Sequence, residues 1–265
     1  MGGKGEGNNK GGVKMKLIAL TNQKGGVGKT TSTINIGVGL ANMGKRVLLI
    51  DLDPQANLTY SLGLQAHELD KTIYEVLKGE IRAKDALIKT HGLSLLPSSI
   101  NLSGAEIELS GVAGREFLLK EALSDVGEFD YILLDCPPSL GLLTLNALTT
   151  AKEIYIPLQT EFLALQGMSK LLETIDIVKG RLNKGLDITG IIGTLYDGRK
   201  KLNNEVVDKI KGHFEGKLFD TLIRDNVALA EAPSYGKDIY SYKANSSGAE
   251  DYQALCKEII KRGKQ

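Results

Sequence analysis

The sequence predicts an α/β fold, a mostly parallel central sheet with helices on both faces, built as a single domain. Three observations lead there. Short apolar runs rich in β-branched residues alternate with longer segments of helical period, the pattern of βαβ units whose strands are buried on both sides. No internal repeat and no linker interrupts that alternation. The length of 265 residues, with 42% hydrophobic and 25% charged residues and a net charge of +1, gives a chain able to bury its own core.

Taken in order, residues 1–14 hold six glycines and three lysines, too little apolar surface to offset the entropy of ordering, so they read as a flexible leader. The domain runs over residues 15–265. Strands are predicted at 17–20, 47–50, 93–96, 131–134, 154–156 and 188–195, each a short apolar run, with a weaker one at 218–222. Helices are predicted at 30–43, 115–123, 142–150, 165–182, 202–213 and 248–260, where apolar residues recur with helical spacing.

Composition also excludes function classes. Two cysteines, Cys136 and Cys256, make no disulfide framework and no C-x-x-C pair, so a reducing compartment is expected. No apolar run reaches the roughly 18 residues that span a bilayer, and the N-terminal stretch has no signal-peptide core. The expected setting is cytosolic.

Chemistry concentrates after the first strand. Lys24-Gly25-Gly26-Val27-Gly28-Lys29-Thr30-Thr31 follows strand 17–20 and opens a helix, the context that a phosphate loop requires. Its glycines let the backbone approach a phosphate, its successive N–H groups form an anion nest, and the helix N-terminus adds its dipole. Lys29 supplies a point charge for terminal phosphates, and the Thr30 hydroxyl stands ready to ligate Mg²⁺. Gln23 replaces the first glycine of the standard G-x-x-x-x-G-K-[ST] spelling, and Lys24 is an extra cation. It would repel Lys29 unless more negative charge than one triphosphate face lies close by.

Two strand ends carry carboxylates. Asp51 and Asp53 emerge at the carboxyl edge of strand 47–50, and Asp135 ends strand 131–134, where ligands bind in open α/β sheets. Alternation along the chain puts Asp51 and Asp53 on one side. Cys136 reads as small core filler.

The residues Asn22-Gln23-Lys24-Gly25-Gly26-Val27-Gly28-Lys29-Thr30-Thr31, Asp51-Leu52-Asp53-Pro54-Gln55-Ala56-Asn57, Leu134-Asp135-Cys136-Pro137-Pro138-Ser139 and Ala230-Glu231-Ala232-Pro233-Ser234-Tyr235-Gly236-Lys237 together resemble the ParA/MinD group of deviant Walker-A P-loop NTPases. Within that group they resemble the ParA/Soj chromosome and plasmid partition ATPases, from residue 15 to the C-terminus. The resemblance implies an Mg²⁺-dependent ATPase that binds ATP through Lys24 to Thr31 and closes as an ATP-sandwich homodimer. Lys24 then reaches the partner's phosphates, which accounts for the extra cation. Asp53 positions the attacking water, Asp51 lies near the outer shell of the metal, and Asp135 holds Mg²⁺ through water as a Walker-B carboxylate. Asp197, Arg224 and Asn226 are implied neighbours of the adenine, and the strand edge with Pro157, Gln159 and Glu161 faces the dimer.

The same resemblance implies non-specific DNA binding, a ParB-type centromere-binding partner that stimulates hydrolysis, and a cytoplasmic, nucleoid-associated protein. Residues 181–217 carry eight basic against five acidic side chains, with Arg199-Lys200-Lys201 at the centre, and this run is the DNA-binding candidate through phosphate contacts. The chain departs from the family at Asp225 and Ala228, where relatives commonly carry arginines. Positioning of a protein cargo remains open beside DNA segregation. A MinD-like membrane role is disfavoured, because Tyr252, Leu255, Ile259 and Ile260 read as a stripe that packs on the core. A reductase resembling nitrogenase iron protein would need two cluster cysteines near the dyad, a place that Cys256 does not fit.

Overall fold

The computed structural model describes residues 15–161 and 166–263. The predicted leader lies outside the described residues, as does the first residue of the predicted helix 165–182. Seven strands, β1 (Lys16–Leu20), β2 (Val47–Asp51), β3 (Ile88–Thr90), β4 (Leu93–Leu96), β5 (Tyr131–Asp135), β6 (Glu153–Gln159) and β7 (Asp187–Thr194), form one sheet in the order β3-β4-β2-β5-β1-β6-β7. All pairings are parallel except that of β3 with β4. The β3–β4 hairpin is absent from the sequence expectation, because Ile88-Lys89-Thr90 is too short to show a period.

The helices are α1 (Lys29–Asn42), α2 (Asn57–Ser61), α3 (Ile73–Leu77), α4 (Leu102–Glu108), α5 (Leu118–Ala122), α6 (Leu142–Thr150), α7 (Ser169–Arg181), α8 (Lys201–His213), α9 (Val227–Glu231), α10 (Ile239–Lys243) and α11 (Ser247–Arg262). Strand side chains alternate between two cores. Leu48, Ile50, Ile132 and Leu134 join the core that includes Ala147, Leu171 and Ile210 of α6, α7 and α8. Val47, Leu49, Tyr131 and Leu133 join the one formed with α1 and α11. Tyr252, Leu255 and Ile259 of α11 are buried there, so the C-terminal stripe packs on the core as expected.

The predicted strand 218–222 is not formed. Its chain makes isolated bridges at Ile191 of β7 with Leu218 and, past the end of β7, at Tyr196 with Arg224, so five steps on one side face six along the segment. The extra residue breaks the ladder, and the Glu258 carboxylate accepts from the freed Asp220 and Thr221 N–H groups at 2.9 and 3.0 Å.

The register brings the strand ends level. Asp51 pairs with Asp135, and Leu20 pairs with Asp135 on its other side. The phosphate loop, both carboxylate stretches and the end of β7 therefore open on one edge of the sheet.

Candidate nucleotide site

The loop between β1 and α1 is held from both sides by side chains of neighbouring strand ends. Gly26 and Gly28 take φ of +73° and +86°, a conformation that side chains rarely adopt. Asn22 Nδ2 donates to the Pro157 carbonyl at 2.7 Å, and Asn22 Oδ1 accepts from Lys24 N at 3.0 Å. Gln159 Nε2, at the end of β6, donates to Gly26 O at 3.1 Å. Thr194 Oγ1, at the end of β7, donates to Val27 O at 2.9 Å. Protein groups on both sides thus hold the shape of the loop.

Lys29 opens α1, is 8% exposed, and points its Nζ toward Lys24 O at 3.4 Å. Burial lowers the pKa of its ammonium, while the nearby Asp135 and Asp53 act the other way. Thr30 Oγ1 donates to Asp135 Oδ2 at 2.7 Å. Thr33 Oγ1 donates to Asp135 Oδ1 at 3.1 Å. Burial pushes the Asp135 carboxyl up to about 6 against those hydrogen bonds. An oxygen-only pair of hydroxyl and carboxylate suits Mg²⁺, which keeps most of its water and takes its remaining ligands from phosphates. Among the described residues no group of three or more His, Cys, Asp or Glu side chains forms a protein-only metal cage. Thr30 and Asp135 fit a magnesium nucleotide, and the ion would supply charge neutralisation at the phosphates.

A cleft of about 870 Å³ opens beside this loop. It is lined by Gly25, Gly26, Gly28, Lys29, Thr30, Thr31, Asp53, Pro137, Pro138, Arg224 and Asn226, among others. The volume lies within the range of small-molecule sites. Asp53 is 9% exposed and its Oδ1 accepts from Gln55 N at 2.9 Å.

Other expected residues stand differently. Asp51 is fully buried and outside the cleft lining. Its Oδ2 accepts from Thr59 N at 2.9 Å and Thr59 Oγ1 at 2.7 Å, and its Oδ1 from Asp53 N at 3.2 Å. Burial, with the Asp135 charge beside it, pushes its carboxyl up to about 7. Placed so, Asp51 anchors the loop that carries Asp53.

Asp197 is not among the cleft-lining residues. Its carboxylate is taken by Arg199 at 2.9 Å to each oxygen, which holds its pKa down to about 2. Arg224 and Asn226 do line the cleft, but their side chains are engaged: Arg224 forks onto Asp251 and reaches Glu250, and Asn226 caps α9 through Ala228 N. Cys136 is buried core filler whose thiol pKa is raised by burial.

Lys24 turns away from its own cleft. Its Nζ donates to Gln159 Oε1 at 2.5 Å and lies 3.7 Å from Glu161 Oε2, with the side chain 49% exposed. Arg199 and Lys201 are exposed on the surface, 91% and 92%, and Lys200 is 63% exposed. Arg199 pairs with Asp197 and Lys201 with Glu205, so part of the run's charge is neutralised locally.

Sequence reasoning misses Thr33, Thr194, Thr59 and Ser98. A signal exists for two of them: Thr33 lies one helical turn beyond Lys29, and Thr194 ends a parallel strand.

A family described as AAA domain matches residues 15–188. The chromosome-partitioning ATPase Soj of Treponema pallidum is 49% identical over 253 residues, covering 94% of this chain and 99% of its own. The chromosome partitioning protein ParA of Caulobacter vibrioides is 45% identical over 253 residues, covering 94% and 95%. A crystal structure named cobyrinic acid a,c-diamide synthase from Mycobacterium smegmatis, with bound ATP analogue and magnesium, superposes with a TM-score of 0.84 at 38% identity, covering 95% of this chain and 97% of that one. Near-complete coverage by partition proteins, joined to a glycine loop whose Thr30 reaches the strand-end carboxylate Asp135, establishes that the chain belongs to the ParA/Soj family of magnesium-dependent P-loop ATPases.

Proposed function

We propose that this ATPase closes as a homodimer over two molecules of ATP, binds DNA without sequence preference in that state, and releases it when a ParB-type partner stimulates hydrolysis. The observation that carries the reading is Lys24. A second loop lysine is costly beside Lys29 unless it serves another phosphate, and here it lies off the lining of its own cleft with its side chain half exposed. A cation so placed is available to a nucleotide held by a facing copy.

In this reading Lys29 and the N–H groups of Gly25 to Thr31 hold the phosphates. Thr30 and Asp135 hold Mg²⁺, and Asp53 orients the attacking water. Positioning and charge stabilisation are the main tasks in phosphoryl transfer, so these groups are sufficient. The base lies against the Arg224 to Asn226 stretch. Arg199, Lys200 and Lys201 provide phosphate contacts for DNA, supported by their exposure.

Light scattering with saturating Mg-ATP tests the core of the proposal. Asp53→Ala, which keeps the nucleotide intact, is expected to double in mass, and the Asp53→Ala, Lys24→Ala double variant is expected to stay single while still binding ATP. A double variant that pairs as well as its parent removes Lys24 from the partner's site.

A further inference from the structure

The carboxylate of Asp53 can orient a water only if its backbone is held, and the structure contains a closed ring of hydrogen bonds that holds it. Ser98 Oγ, on the chain leaving β4, donates to Asp53 O at 2.8 Å. Ser98 N donates to Thr59 Oγ1 at 3.0 Å. Thr59 Oγ1 in turn donates to Asp51 Oδ2 at 2.7 Å, and Asp51 Oδ1 accepts from Asp53 N at 3.2 Å. The ring joins the end of β2, helix α2 and the end of β4, strands that run parallel with Ile50 opposite Leu96. Asp51, Thr59 and Ser98 are each fully buried, so water does not compete for these bonds. The Asp53 carbonyl is therefore held by Ser98 Oγ from outside its turn and by Ala56 N at 2.8 Å within it, and its N–H by the Asp51 side chain that Thr59 anchors, while the Asp53 side chain faces the cleft.

From this arrangement we infer that Ser98 and Thr59 are positioning residues for ATP hydrolysis, acting through Asp53 and touching no part of the nucleotide. The inference rests on the role proposed for Asp53. Ser98 lies outside the cleft lining, as does Thr59, so nucleotide affinity does not depend on them. Small displacements of an orienting group cost far more in turnover than in binding.

The test measures kcat and KM for Mg-ATP by phosphate release, with ATP affinity by calorimetry, in Ser98→Ala, Thr59→Val, Thr59→Ser and Asp53→Ala. Ser98→Ala and Thr59→Val are expected to lose roughly ten-fold in kcat with KM and affinity within two-fold of the parent, scaled from the roughly hundred-fold cost of a 1 Å misplacement. Thr59→Ser, which keeps the hydroxyl, is expected to retain parental turnover. Should Ser98→Ala fail to fold, the Thr59 pair decides alone. Parental kcat in the hydroxyl-free variants, equal losses in Thr59→Ser and Thr59→Val, or a parallel loss of ATP affinity would each overturn the inference. Asp53→Ala separates the two levels: if it turns over like the parent, the role of Asp53 itself falls. If it is inactive while Ser98→Ala and Thr59→Val are not, only the positioning ring falls.

Discussion

At the scale of single residues, the site is a set of short side chains that each satisfy two partners. Thr33 shares its one hydroxyl proton between the Lys29 carbonyl and Asp135, Thr59 is bound to both Asp51 and the Ser98 N–H, and Gln159 to both Lys24 and Gly26. Lys29 is the exception: it is buried, its Nζ reaches only the Lys24 carbonyl at 3.4 Å, and Asp135 and Asp53 act on it through charge and not through a direct ion pair. Lys29→Ala is accordingly expected to abolish ATP binding in calorimetry while leaving the thermal midpoint without nucleotide nearly unchanged. Retained affinity would contradict the loop assignment. The loop and the three carboxylates are legible in the sequence because glycine spacing and strand-end acids have local signatures. Asp197, expected near the base, lies off the cleft lining with its carboxylate taken by the guanidinium of Arg199 two residues on, a pairing that the strand-end position alone does not reveal. The hydroxyls of Thr59 and Ser98 carry no local signature. Their bonds run to positions eight and 45 residues away in the chain.

At the scale of elements, the alternation of period identifies the six longer strands because each is an apolar run bounded by polar turns. What it cannot supply is anything shorter than about two periods, too short for a repeat to show: the three-residue β3, and five-residue helices such as α2, α3, α9 and α10. Helix α1 shows how tightly the larger elements fit. A Cβ at Gly37 would meet Leu49 Cδ2 of β2 at 2.6 Å, and Leu49 is fully buried and unable to yield. Gly37→Ala gains about 1 kcal/mol of helix propensity. Overpacking costs about 1–3 kcal/mol, so the substitution is expected to lower the thermal midpoint. Calorimetric melting checks the sign, and a raised midpoint would show that the α1–β2 packing is looser than described.

At the scale of the whole molecule, distant segments are tied by charge. His91, in the β3–β4 turn, lies 2.7 Å from Asp238, which caps α10 far along the chain. The hydrogen bond to Asp238 raises the His91 pKa. Asp238 is lowered to about 2, with burial opposing the bonds from His91 and Ser241. A raised histidine contributes stability fully present below its unfolded value, about 6.5, and lost as pH climbs through the folded value. A depressed aspartate contributes stability present above about 3.9 and lost as pH falls through the folded value. The difference in thermal midpoint between the parent and His91→Asn is therefore expected to be widest between about pH 4 and 6.5 and to shrink above it. Asparagine tolerates the φ of +47° found at His91, so the comparison isolates the charge, and a pH-independent difference would dismiss the pair. For the exposed run Arg199, Lys200 and Lys201, replacement of each by alanine is expected to flatten the salt dependence of DNA binding by about one unit for each phosphate left without its cation. Titration over a salt series reads this directly, and an unchanged slope would move the DNA face elsewhere. The two flanks of the sheet are finished in different ways: one by a three-residue antiparallel strand whose Lys89 is occupied by Ser94, the other by the irregular ribbon along β7 whose spare donors Glu258 absorbs. Among the described residues neither flank offers a neighbouring molecule a long unsatisfied ladder, so many copies can crowd together without seeding fibrils edge to edge.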